Sequence, residues 1–327
     1  MNSYTIKHTT RYSYSSTVID CANQIMLYPL VDAHLEVRKH EIKISNSPLI
    51  EVFTDYFGNQ VGVFSVIKPH NELLIESVTD VITKKVTMPT DDIPAAEQWE
   101  HFLNLKDTFP YLDFLTHEAF PSLEEVKNVL GTLTDHTQTP FANAKIFTEY
   151  VYNTFNYEQG ITTTETEVEE IWKLKGGVCQ DFAHILLVLL RMSDIPGRYV
   201  SGYICPKDKE MRGTGATHAW VEAYIPWFGW IGLDPTNNCV VNDQHVRLAV
   251  GRNFTDCTPV KGTYKGSGNH TLEVSVEIEN GHSANKSDTP GNATFKYSQK
   301  SKPAAKINSY RHYIEVQQQQ QQQQQQQ

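Results

Sequence analysis

No apolar run in this sequence is long enough to cross a bilayer. The longest, Ile185 to Leu190, has six residues, against the roughly 20 that a spanning helix needs, so no membrane partner is expected. Positive charge is also scarce: 28 Lys and Arg face 38 Asp and Glu, a net charge of −10. No basic stripe interleaved with aromatics occurs, which removes nucleic acid from the expected partners, because phosphates must be neutralised by clustered cations. Cysteines are few, odd in number and scattered, at Cys21, Cys179, Cys205, Cys239 and Cys257. That pattern suits a reducing compartment better than a disulfide framework. Met1 to Thr10 lacks the apolar stretch of a secretory signal, so the cytoplasm is the expected location. Phosphate loops, dinucleotide fingerprints, EF-hand loops and paired zinc-type Cys/His spacings are all missing, and neither a metal nor a cofactor is expected.

What the sequence does contain divides by pattern, and together it reads as an α+β protein. Residues 1–86 are rich in Val, Ile, Thr, Tyr and Phe between turn residues such as Asn46-Ser47-Pro48 and Gly58-Asn59. They are expected to form an antiparallel β domain of their own, with hairpins and one wet face. Residues 87–140 change to helical spacing punctuated by Pro110 and Pro121, a helical connector. Residues 141–280 read as the core, with late strands at 245–254 and 271–278 returning to its sheet. Residues 281–327 are Ser-, Asn- and Lys-rich and end in the polyglutamine run Gln317 to Gln327, which predicts a disordered tail.

Within 141–280 one helix is apolar almost all round: Phe182, Ala183, Ile185 to Leu190 and Met192. Such a helix is central, packed here on an antiparallel sheet. It opens at Cys179, directly after Gly176-Gly177-Val178. A helix N-terminus offers partial positive charge and unpaired N–H groups, which favour a thiolate and could stabilise a nearby oxyanion. His218 follows in a strand where His218, Trp220, Glu222 and Tyr224 alternate with Ala219, Val221, Ala223 and Ile225. The turn Pro226 to Gly229 then brings the strand ending at Asp234 back antiparallel, so Asp234 is expected near the level of His218 on the adjacent strand, directly opposite or diagonal. Nucleophile, base and orienting acid thus occur in that order as Cys179, His218 and Asp234. His184 points away from Cys179 and reads as a core histidine.

At these residues the chain resembles the transglutaminase-like superfamily, whose core shares its Cys-His-Asp arrangement with papain-like proteases. The likeness rests on Gly177-Val178-Cys179-Gln180-Asp181-Phe182-Ala183-His184, Gly197 to Tyr203, His218-Ala219-Trp220-Val221-Glu222 and Leu233-Asp234-Pro235-Thr236. More narrowly it is similar to bacterial transglutaminase-like proteins with an N-terminal β region, through Thr9 to Tyr14, Asp55-Tyr56-Phe57-Gly58-Asn59 and Val250 to Asp256. The resemblance implies a papain/transglutaminase-like core with Cys179 as nucleophile, His218 as base and Asp234 as orienting acid. It also makes Tyr157, upstream of the nucleophile, an oxyanion candidate. The activity it implies is a cysteine peptidase or amidase acting on a peptide or protein amide through a thioester. The alternatives are a transglutaminase, which resolves the thioester with an amine, and an inactive binding or scaffold protein on the same fold.

Overall fold

A computed structural model describes residues 1–90, 92–205, 211–213, 217–267 and 269–280. The expected tail at 281–327 lies outside the described residues. Period-2 patterning gives β1 (Asn2–Ile25), β2 (Leu35–Ile44), β3 (Glu51–Thr54), β4 (Gln60–Val66) and β5 (His70–Thr83). These form one antiparallel sheet in the order β2-β5-β1-β4-β3. In β5 every second residue from Leu73 is buried, the alternation expected where one face meets a core.

The helical stretch supplies α1 (Ala95–Leu105), α2 (Tyr111–Leu115) and α3 (Leu123–Leu133), followed by α4 (Pro140–Thr154). Thr139 caps α4 by accepting a hydrogen bond from the Ala142 N–H, and Pro140 sits at the first position, where a missing N–H costs nothing. Next come β6 (Asn156–Tyr157), α5 (Val168–Leu174), β7 (Gly176–Gly177) and α6 (Cys179–Met192). From Gln180 to Leu190, α6 buries every residue but His184.

Against it lies a second antiparallel sheet made of β8 (Gly197–Ile204), β9 (His218–Ile225), β10 (Gly229–Asp234), β11 (Cys239–Val240) and β12 (His245–Gly251), ordered β11-β10-β9-β8-β12. The alternation read from β9 divides its residues between two cores. Ala219, Val221, Ala223 and Ile225 share a core with α6, while Trp220 joins Val200 and Val250 in a separate cluster on the other face.

The closing strands differ from the sequence expectation. β12 pairs with β8 in the core sheet, but β13 (Val260–Lys265) and β14 (His270–Asn280) do not belong there. Both pair with β1: Tyr4 to Tyr14 run opposite Asn280 to His270. The N-terminal sheet is therefore not built from residues 1–86 alone, and residues 260–280 leave the core region assigned to 141–280. The physical reason is that β1 is long and has a free edge opposite β5, which β14 satisfies with backbone hydrogen bonds.

The two sheets are joined at β12. Asn59, fully buried, donates from Nδ2 to the Val250 carbonyl and accepts the Val250 N–H at Oδ1, both at 2.8 Å, imitating a strand neighbour. Asp55 fixes that asparagine by accepting its backbone N–H and its Nδ2. Arg247 of β12 donates to Glu222 of β9 at 2.8 Å and also pairs with Asp32.

Candidate active site

Cys179 is the first residue of α6 and is half-buried. Its backbone approach is unusual. Gly177 adopts φ +152°, and a Cβ there would lie 2.3 Å from Asp181 Oδ2, so no larger residue fits the turn. That same Oδ2 accepts the Val178 N–H at 2.8 Å and the Thr162 hydroxyl at 2.6 Å. Asp181, at the third position of the helix, thereby ties down the residue before Cys179.

His218 opens β9. The register Leu233↔Val221 leaves Asp234 one step further along β10, diagonal to His218, one of the two placements the hairpin allows. His218 Nε2 and Asp234 Oδ2 are 2.8 Å apart and fully buried. With Nε2 donating to the carboxylate, Nδ1 has no conventional hydrogen-bond partner among the described residues and is the nitrogen left for the Cys179 thiol, whose contact favours the charged ring. Burial opposes imidazolium, but the Asp234 charge, its hydrogen bond and the Cys179 contact together outweigh it and lift His218 from 6.5 to about 10. Asp234 is driven the opposite way: burial disfavours its charge, yet His218 first and then His245 hold it well below the usual carboxylate range.

Tyr157 is brought in by the short parallel pairing of β6 with β7, opposite Gly177. Burial first, then the neighbouring Cys179, pushes its phenol up to about 12, so it remains a hydrogen-bond donor at neutral pH. The structure therefore gathers Cys179, His218, Asp234 and Tyr157 in one place. His184 stands apart: its Nε2 accepts the Phe254 N–H at 3.3 Å, and burial lowers it to about 4.

Two residues that sequence reasoning passed over also reach Asp234. Asn237 Nδ2 donates to Oδ2 at 2.8 Å, and His245 Nε2 approaches the same oxygen at 3.4 Å. The backbone N–H groups of Thr236 and Asn237 fill Oδ1. Asn237 carried a legible signal, since an Asp–Asn pair three apart in a turn is an Asx-type arrangement; His245 carried none. His218, Asp234 and His245 also place three ligand-type atoms within 4.8 Å of one another. A cation there would have to displace the N–H donors that now saturate Asp234 Oδ2.

Comparison with known proteins bears on the fold that carries these residues. Residues 127–235 match the model of the transglutaminase-like superfamily, and residues 4–82 that of the bacterial transglutaminase-like N-terminal region. The core segment, residues 127–235, is transglutaminase-like. An uncharacterised protein of Mycobacterium leprae is 29% identical over 276 residues, covering 84% of this chain and 97% of that one. The protein-glutamine gamma-glutamyltransferase of Pseudomonas aeruginosa is 32% identical over 74 residues, 20% of this chain and 11% of that one. A solved structure of a candidate cysteine protease from Cytophaga hutchinsonii superposes with a TM-score of 0.68 at 20% identity, covering 91% of this chain and 95% of that one. It shares the fold of this transglutaminase-like protein across both sheets.

Proposed function

We propose that the protein is a cysteine acyl-transfer enzyme that hydrolyses an amide bond of a peptide or protein. The observation that carries the reading is the oriented imidazole: Nε2 committed to Asp234 at 2.8 Å, Nδ1 left for a thiol at a helix N-terminus. In this mechanism the Cys179 thiolate attacks the amide carbon, and the C–O π electrons move onto oxygen. The first amide of α6 and the Tyr157 hydroxyl donate to that oxyanion. His218 gives its Nδ1 proton to the departing nitrogen as the C–N bond breaks, leaving a thioester and a neutral imidazole. A water then loses a proton to Nδ1 and attacks the thioester, releasing a carboxylic acid and restoring the thiolate–imidazolium pair. Asp234 keeps the ring in the tautomer that both steps need.

Hydrolysis is the first reading because Cys179 is half-buried rather than sealed, which leaves water a route to the thioester. Transamidation is the second reading, favoured by the 74-residue likeness to a gamma-glutamyltransferase. Incubation with a quenched peptide library, in parallel with a glutamine-donor protein and a labelled primary amine, separates the two. Peptide cleavage abolished in Cys179→Ala is expected. Stable amine incorporation without cleavage would reassign the enzyme as a transglutaminase, and neither reaction would leave the fold in a binding role.

A further inference from the structure

Beyond the four residues of the proposed mechanism, one side chain connects the carboxylate to the other side of the imidazole. Asn237 Nδ2 donates to Asp234 Oδ2 at 2.8 Å, the oxygen that receives His218 Nε2. The same asparagine grips the backbone of Arg212: its Oδ1 accepts the Arg212 N–H at 2.8 Å and its Nδ2 reaches the Arg212 carbonyl at 3.3 Å. The next residue, Gly213, lies against the opposite ring nitrogen. A Cβ on Gly213 would fall 2.7 Å from His218 Nδ1 and 3.8 Å from the Tyr157 hydroxyl, and its φ of +78° suits glycine. Arg212 itself stacks over the Tyr152 ring at 4.4 Å, a further hold on this stretch of chain.

The two edges of the imidazole are thus fixed by one amide side chain. We infer that Asn237 is a positioning residue: it orients Asp234 and, through Arg212, sets Gly213 against His218 Nδ1, so that the carboxylate and the thiol-facing side of the ring are held in register. An asparagine suits this role because its amide offers an acceptor and donors on one rigid plane. A purely structural turn residue would need to bond only its own loop, as this one does at Asp234, whereas Asn237 also reaches a segment 25 residues upstream. This inference rests on the nucleophile reading above.

The test is the pH profile of iodoacetamide alkylation at Cys179, followed by intact mass in the full chain. The titratable groups facing the His218–Asp234 pair are Cys179 from α6, Tyr157 from β6, Arg212, Cys239 from β11 and His245 from β12. All remain in the variants. In N237A the rate at about pH 6 should fall about tenfold, the scale of one hydrogen bond to a charged group, and the acid limb should move up. N237D, an isostere that can donate to Asp234 only while protonated, should track wild type at the acid end and lose rate as pH rises. It gives a decisive readout even where N237A fails to fold. Variants that fold and keep the wild-type profile overturn the inference alone. A wild-type profile centred near the ordinary thiol value, about 8.5, overturns the nucleophile reading and this inference with it.

Discussion

Asp234 concentrates more of the site's chemistry than any other residue, because five donors converge on its two oxygens. Its charge and that of His218 support each other, and the signs set a pH window. The lifted His218 contributes stability in full below its ordinary 6.5, a contribution lost as pH rises through about 10. The depressed Asp234 contributes in full above its ordinary 3.8, and that is lost as pH falls below it. Both operate fully between 3.8 and 6.5. Asp234→Asn keeps the shape and removes the charge. The thermal midpoint of wild type minus variant should be largest inside that window and shrink on either side. At its maximum the loss corresponds to about 3–5 kcal/mol, as for a broken buried pair. Turnover should drop on the order of a thousandfold or more, the cost of losing the orienting carboxylate in triad enzymes. A difference in midpoint that is flat from acid to alkaline pH would mean that shape, not charge, sets this residue's contribution.

At the level of elements, the position of Cys179 is decided by the turn before α6. Gly177 and Asp181 occupy each other's space so closely that an alanine at 177 must push the carboxylate out of its bonds to Val178 and Thr162. Gly177→Ala should destabilise the fold by about 2 kcal/mol through backbone strain and overpacking. It should also slow alkylation at Cys179, and differential scanning fluorimetry beside a labelling time course checks both. Unchanged labelling in a destabilised protein would separate the turn from the nucleophile. This element was readable from sequence because an apolar stripe on all sides of a helix admits only a central position, and glycines before it leave only a tight turn. The β9–β10 hairpin was readable for a similar reason: alternation fixes which residues share a face, and the turn brings the next strand back antiparallel, while the register that sets Asp234 diagonal to His218 came only with the structure. The destination of β14 was not readable. Its alternating pattern identifies a strand, but nothing local distinguishes an edge of one sheet from an edge of the other. His245 was missed because its partner is defined only once β10 and β12 are placed, whereas Asn237 lies three residues from Asp234 and was legible in the turn itself.

Across the whole molecule, the N-terminal sheet grips the core sheet through β12. Asn59 supplies both hydrogen bonds that the backbone of Val250 makes toward it. Asn59→Ala orphans a buried N–H and a buried C=O, at a cost of about 2–4 kcal/mol. A lowered thermal midpoint with faster proteolytic nicking between the sheets is the expected result. Retention of wild-type protease resistance would show that the remaining links suffice, namely the apolar core that Tyr203, Val246 and Leu248 share with β1 and β5 and the Arg247 bonds to Glu222 and Asp32.

The pairing of Tyr4–Tyr14 with His270–Asn280 has a further consequence, in the order of synthesis. A ribosome delivers β1 first and its β14 neighbour more than 250 residues later, at roughly 5–20 residues per second. During that interval of tens of seconds β1 carries an open edge that any other extended chain can occupy. The core sheet and its cysteine helix emerge in the meantime, so the half of the protein that carries Cys179, His218 and Asp234 can be complete before the sheet beside it is sealed.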